Sequence, residues 1–532
     1  MKLGQRSLLN AVSSTAAFVW PLLLLAAAMP FILHRLGLER FGAWALINAV
    51  LALAATFSLG LGDGTMKLVA ESHARRDLAQ TNRVLGLGLL IYALLGLGLG
   101  IVLALATPLL VDRIFAVGAA YRAEVRAAFW LATATLAVTL TATPLARVAT
   151  AVQRYEWAAG TDIVLRSLTV LAQVLLLWRG YGLAALALAG LILAVLRAGI
   201  QFAVARRLIP GLRPRLAGGR QIVRRLVRFS AYGACIYIGG QATQQLDRLL
   251  IGVLAGPAIL PFYVVPQALG SRLHLLLAHA GHFLFPLASA LAAAGDMARL
   301  ARSFHLATRV LSLGAMTVAL PPMLVAYPLL QLWLGAELAE GAAPVLRWLV
   351  LSYALLSLNL SAYYLLQGIE RPQINAAFAL LNLLGVVAIC VLALPRWHLT
   401  GLAVGLALFH AVSSASQLVL VQRRILGRPV GEMGRVLAPA GLVLATTLLA
   451  VATVGPQVGA LHPLVALLIA AVLALAVMGL GLGADRLLWG SESMIGLLRH
   501  IVPQRRRPGG AAPDLPAPRS AAATVLGSGR TP

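Results

Sequence analysis

Residues 84–107 read VLGLGLLIYALLGLGLGIVLALAT, with Arg83 before them and Asp112-Arg113 soon after. Nothing in that stretch is charged, and at about 1.5 Å per residue it makes a helix of about 36 Å, enough to cross a hydrocarbon core of ~30 Å. Stretches of the same kind recur near 10–33, 42–66, 125–146, 161–178 and 181–204, then near 229–254, 262–291, 307–330, 345–367, 373–394 and 401–421, and finally near 435–454 and 463–485. Composition agrees. Of 532 residues 60% are hydrophobic and 11% charged, whereas a soluble domain carries about a quarter of its residues as charges. The mean hydropathy is +0.88. The sequence therefore predicts an all-α polytopic membrane protein of about fourteen transmembrane helices, with lipid as the solvent for most of the chain.

Alternate loops hold the basic residues: Lys67, Arg75, Arg76 and Arg83; Arg154; Arg206 through Arg228; Arg299 and Arg302; Arg371; and Arg423, Arg424, Arg428 and Arg435. That bias marks the cytoplasmic side, so an even number of spans is expected to leave both termini in the cytoplasm of a cell bounded by a bacterial inner membrane. The net charge of +26 is thus topological. Nucleic-acid binding would need those residues on a folded basic face with stacking aromatics. The opening, Met1-Lys2 to Arg6 and then a run containing Ala26-Ala27-Ala28, has features of a signal peptide. Its apolar run continues to Leu33, and an uncleaved first helix is expected. Cys235 and Cys390 lie in apolar spans without metal or disulfide spacing. In the central basic stretch, Arg220, Arg224, Arg225 and Arg228 share a helical face, which fits a surface helix on anionic lipid as well as plain topological charge. Beyond His500 the run Gln504-Arg505-Arg506-Arg507-Pro508-Gly509-Gly510, then Pro, Ala and Ser, has too little apolar surface to fold.

An internal repeat organises the chain. Val152-Gln153-Arg154-Tyr155-Glu156 after the fourth span is echoed by Leu366-Gln367-Gly368-Ile369-Glu370 after the tenth. Leu36-Gly37 leading to Phe41-Gly42-Ala43-Trp44 is echoed loosely by Leu254-Ala255-Gly256 leading to Phe262-Tyr263. The expected division is a six-helix lobe over 1–205, a basic loop over 206–228, a second six-helix lobe over 229–422, two additional helices over 435–486 and a basic tail over 487–532, the arrangement of many alternating-access carriers.

Ionisable groups at membrane depth cost about 2.5–3.5 kcal/mol each on insertion scales, so each needs a partner or a wet cavity. The seventh span carries Gln241, Gln244, Gln245, Asp247 and Arg248, with Gln241, Gln245 and Arg248 on one face. The eighth carries Arg272, His274, His279 and His282, of which Arg272, His279 and His282 share a face. Arg147, Arg166, Arg197 and His410 are further candidates, although the three arginines also suit snorkelling to an interface. Asn359, Asn375 and Asn382 mark the tenth and eleventh spans. The intramembrane acids read from the sequence are Asp63, Asp162 and Asp247, so the expected cavity is cationic and suits a phosphorylated substrate bound by forked guanidiniums. Its expected lining is Arg248, Arg272, Gln241, Gln245, Asp247 and Arg147. Proton or sodium coupling would fall to Asp247, His279, His282 or Asp63. No metal set, nucleophile elbow or Walker loop is present in the sequence, and Gly60-Leu61-Gly62-Asp63-Gly64 lacks the strand that a phosphate loop requires. Transport without a cofactor is expected, not an enzyme. Prolines 21, 30, 144, 266, 286, 321 and 322 are expected kinks, and Gly96 and Gly100 expected points of close helix packing.

On those residues the chain resembles the polysaccharide and O-antigen flippases of the multidrug/oligosaccharidyl-lipid/polysaccharide exporter (MOP) superfamily. Asn10 through Pro30, Leu36-Gly37-Leu38-Glu39-Arg40-Phe41-Gly42-Ala43-Trp44 and Leu59-Gly60-Leu61-Gly62 look like its opening; Phe229 through Gln245-Leu246-Asp247-Arg248, Ile251-Gly252 and Phe262-Tyr263 look like the opening of its second half. The resemblance implies two six-helix lobes in a V plus two C-terminal helices. It also implies export of an undecaprenyl-pyrophosphate-linked oligosaccharide, an O-antigen or exopolysaccharide unit, by alternating access coupled to protons or sodium. A polysaccharide polymerase and chain-length machinery are the further partners it brings. A lipid II flippase shares the helix count and the cationic cavity. A multidrug/cation antiporter would be expected to place an acid in the first span, and 10–33 has none. A multispan glycosyltransferase or polymerase would be expected to carry a long outer loop, whereas outer loops such as Trp178-Arg179-Gly180-Tyr181 are short.

Overall fold

The computed structural model describes residues 3–56, 58–216, 245–459 and 461–494. Gln241, Cys235, the basic stretch from 217 onward and the tail beyond 494 lie outside them, as does the side chain of Asp63. The first half comprises α1 (Leu3–Thr56), α2 (Leu59–Ala74), α3 (Leu78–Leu109), α4 (Arg122–Ala151), α5 (Tyr155–Trp178) and α6 (Leu183–Leu208). The second begins with helical residues 245–255, here α7. It continues through α8 (Pro261–Gly281), α9 (Leu284–Ala293), α10 (Met297–Leu324), α11 (Ala326–Leu334), α12 (Ala336–Ser357), α13 (Leu360–Gly368) and α14 (Pro372–Leu420). α15 (Val430–Thr453), the short α16 (Gly455–Gly459) and α17 (Pro463–Trp489) follow.

Eleven stretches among the described residues are long and apolar enough to cross a membrane. Two of them are double: a single non-helical residue, Gly37 in α1 and His398 in α14, divides each into two arms. Counting both arms of each gives thirteen among the described residues; the seventh expected span, near 229–254, is described only from 245. Several are not the plain rods that hydropathy implies. The second is interrupted after Thr56 and resumes as α2 to Ala74, beyond the expected end at 66. The hydroxyl of Tyr92 donates to the carbonyl of Ser58, the N-cap of α2, at 2.9 Å and so ties α3 to the interruption. The eighth breaks into α8 and α9 just before Pro286, whose missing N–H cannot serve the carbonyl of His282. The ninth begins at Met297, ten residues before the expected 307, because Asp296 caps it by accepting from the N–H of Arg299 at 2.9 Å.

The repeat is written in the backbone. Thirteen described residues have positive φ. Twelve of them form six pairs separated by 216 to 219 residues: Gly37 and Gly256, Arg76 and Gly295, Ala116 and Gly335, Gln153 and Glu370, Gly180 and His398, Gly211 and Gly427. The thirteenth, Gly490, follows α17. Gly37 and Gly256 share nearly the same conformation, φ 75° and ψ 169° against φ 82° and ψ 168°. Asp77 caps α3 from the position corresponding to Asp296, accepting from the N–H of Gln80 at 2.8 Å. Each pair marks the same inter-helix turn in the two halves. The register differs from the sequence echo by three residues, since Gln153 corresponds to Glu370 and not to Gln367. Small residues then set the spacing: a Cβ on Gly96 would lie 2.9 Å from the carbonyl oxygen of Ala137, so α3 and α4 touch through their backbones.

The α12–α13 pair and α10 are the most buried spans, and α5 is the most exposed. The C-terminal helices are fastened to α10 by a pair that the sequence reading did not single out. Arg309 Nη1 donates to Asp485 Oδ1 at 2.8 Å, and Arg309 Nη2 to the carbonyl of Glu492 at 2.9 Å. Asp485 Oδ2 accepts the N–H of Met494 at 2.7 Å, and the guanidinium lies 4.3 Å from the ring centre of Trp489.

Candidate functional site

Two sets of polar side chains stand out. The first begins on α7, where Asp247 is buried with 5% exposure. A buried carboxylate needs donors, and α8 supplies two from residues one helical turn apart. Tyr263 donates its hydroxyl to Asp247 Oδ2 at 2.7 Å, and Gln267 Nε2 donates to the same oxygen at 2.5 Å. The backbone N–H of Arg248 reaches Oδ1 at 2.7 Å. Gln267 closes the ring by accepting from Arg248 Nε at 2.5 Å, so acid and base on adjacent residues are compensated through a neutral amide. A cavity of about 380 Å3 extends from Asp247 into the second half. Its polar wall is internally paired: His274 Nδ1 with Ser357 at 2.9 Å, His410 Nδ1 with Ser352 at 2.8 Å, and Gln417 Nε2 donating to Asn375 at 3.0 Å. Asn359, also on that wall, sits in the two-residue turn between α12 and α13.

The second set is cationic and spans the two halves. Arg272 is exposed on α8, and Arg166 of α5 and Arg248 of α7 are close enough to act on it electrostatically. α5 belongs to the first half and α7 and α8 to the second, so the three guanidiniums gather where the halves meet, here called the cleft. Arg166 Nε is itself held by Asp162 Oδ2 at 2.7 Å, and the other Asp162 oxygen is held by Arg197. Arg166 and Arg197 therefore converge on one carboxylate.

The cleft is closed at the end of the Gly37, Gly256 and Gly335 turns, opposite the arginine-rich loops. There Trp333 Nε1 donates to the carbonyl of Ala26 at 2.8 Å. Gly42 packs so tightly on Pro257 that a Cβ would come within 1.7 Å of its carbonyl oxygen. Gly252 lies likewise against Leu46, where a Cβ would meet a side-chain carbon at 2.3 Å.

The expected lining residues do not all share one hollow. Arg248 and Arg272 lie within electrostatic reach of each other, and Asp247 borders the cavity of the second half. Gln245 is half-buried on α7. Arg147 is elsewhere, in a pocket within the first half with Asp162 and Arg197, because it projects from α4 toward α5 and α6. His279 is exposed and bonded to the carbonyl of Leu275 at 2.7 Å. His282 is exposed at the break after α8, its ring edge-on to Tyr364 at 5.5 Å. Gln241 and the side chain of Asp63 are outside the described residues. Sequence reasoning missed Tyr263, Gln267, Ser352 and Gln417, since an uncharged polar residue in an apolar helix gives little signal. The available clue was the spacing of Tyr263 and Gln267, which repeats that of Gln244 and Arg248 on the preceding span.

A family profile described as polysaccharide biosynthesis protein matches residues 32–342. No curated protein sequence matches the chain. Among solved structures, an inward-facing multidrug resistance MATE family transporter of the MOP superfamily is 16% identical, with a TM-score of 0.66 over 78% of this chain and 98% of that one. The lipid II flippase MurJ, in an inward closed conformation, is 10% identical, with a TM-score of 0.65 over 89% of this chain and 98% of that one. A MOP superfamily transporter from Pyrococcus furiosus, described as having a binding pocket of reverse polarity, is 18% identical, with a TM-score of 0.52 over 80% of this chain and 96% of that one. The profile covers more than half of the sequence, and the chain therefore belongs to this family of polysaccharide biosynthesis proteins, on the fold it shares with the MOP transporters.

Proposed function

We propose that this protein is a flippase that carries an undecaprenyl-pyrophosphate-linked oligosaccharide across a bacterial inner membrane, its diphosphate bound in turn by Arg166, Arg248 and Arg272. The polyprenyl tail can stay in the bilayer throughout; the energetic problem is the head group, whose phosphates lose their water shell at membrane depth. Guanidiniums replace that shell with forked, charge-assisted hydrogen bonds. The observation that carries the reading is the provenance of the three cations: Arg166 comes from the first half and the other two from the second. A phosphate bridging the halves is bound by both, and rocking of one half against the other exposes it on alternate sides. Translocation of this kind involves no covalent chemistry and no cofactor; the coupling ion would be a proton or sodium, with Asp247 as the buried acid that borders the cavity.

The test is glycan export in a host lacking its own flippase. Arg248→Ala and Arg272→Ala, present in the membrane at wild-type amounts, are expected to lower surface glycan by about tenfold each, with lipid-linked glycan accumulating in the cytoplasmic leaflet. Wild-type export from both variants overturns the assignment.

A further inference from the structure

The first half contains an open pocket of about 380 Å3, apart from the cleft and bordered by α4, α5 and α6. Arg147 and Arg197 enter it, with the hydroxyl-bearing side chains of Thr150, Thr161 and Tyr155 around them. Three guanidiniums, those of Arg147, Arg166 and Arg197, surround or adjoin this part of α5. Asp162 is the carboxylate paired with Arg166 and Arg197. Arg147 has neither an ion pair nor a side-chain hydrogen bond among the described residues. A cationic excess half-enclosed at the edge of the bilayer favours an anion.

The depth of the pocket indicates which anion. Arg147 lies one turn before α4 ends at Ala151, and Tyr155 is the first residue of α5, so the pocket opens beside the Gln153-Arg154 turn at the arginine-rich end of the lobe. Tyr155 and Trp157 border it, and Arg207 stacks over the Trp157 ring at 5.2 Å. Tyrosine, tryptophan and arginine together mark the level of lipid head groups. We infer that the Arg147–Arg197 pocket is a second anion site, which takes the phosphodiester head group of an anionic phospholipid from the leaflet on the side of the arginine-rich loops. Asp162 ties it to the cleft, because the same carboxylate holds Arg197 on the pocket side and Arg166 on the cleft side. A bound phosphate that engages Arg197 leaves Asp162 to Arg166 alone and so alters the charge offered to the cleft.

The test uses the full-length protein in detergent, equilibrated with mixed micelles of labelled phosphatidylcholine and labelled phosphatidylglycerol, with the lipid retained through purification as the readout. Phosphatidylglycerol is expected to be retained over labelled phosphatidylcholine. Arg147→Gln should reduce that retention by about tenfold, and Arg147→Lys by less, since lysine keeps the charge without the fork. Arg248→Gln, which alters the cleft and not the pocket, should leave retention unchanged. Unchanged retention in Arg147→Gln, or an equal loss in Arg248→Gln, overturns the site. Displacement of the lipid by inorganic phosphate, with no preference over phosphatidylcholine, overturns the lipid as its ligand. Glycan export is not measured, so failure here is distinct from failure of the flippase reading.

Discussion

Asp247 is the residue on which the second half turns. Its carboxylate has one donor from its own helix and two from α8, and Gln267 serves both Asp247 and Arg248. Removing one donor from a buried acceptor costs about 1–3 kcal/mol. Tyr263→Phe, which deletes only the hydroxyl at 2.7 Å from Oδ2, is therefore expected to lower the unfolding midpoint in detergent measurably. An unchanged midpoint would mean that this hydrogen bond contributes nothing to stability. The sequence singled out Asp247 and Arg248 because charge at membrane depth is conspicuous in an apolar alphabet. It gave Tyr263 only as part of a repeat and a family pattern and passed over Gln267, since the role of both as donors to Asp247 exists only once α7 and α8 lie side by side.

At the scale of elements, spans and turns were legible because hydropathy and arginine placement are the two quantities a bilayer sorts by. The break at His282 was legible too, as the kink expected of Pro286; those after Thr56 and at Leu358 were not, since each depends on what stands opposite: Tyr92 at the first, the cavity wall at the last. Arg309 and Asp485 went unnoticed because each lies toward one end of its span, where a charge ordinarily reaches water; here both are buried, at 4% and 0% side-chain exposure. Removing one member of a buried pair typically costs about 3–5 kcal/mol. Arg309→Met should thus loosen α17 from α10, and limited proteolysis near residue 490 is the direct measurement. Wild-type resistance to cleavage would show that apolar contacts alone hold the C-terminal helices in place.

The whole molecule is two copies of one helical plan, recorded by six pairs of left-handed turns and met edge to edge at the Gly42–Pro257 contact. That contact closes the cleft at one end and leaves Arg166, Arg248 and Arg272 between the halves. Equilibrium binding of undecaprenyl pyrophosphate to the purified protein tests their shared role most directly. Arg166→Gln and Arg272→Gln should each weaken binding by about tenfold, and the double variant should lose less than the product of the two, because both arginines grip one diphosphate. Wild-type affinity in all three variants would contradict the account.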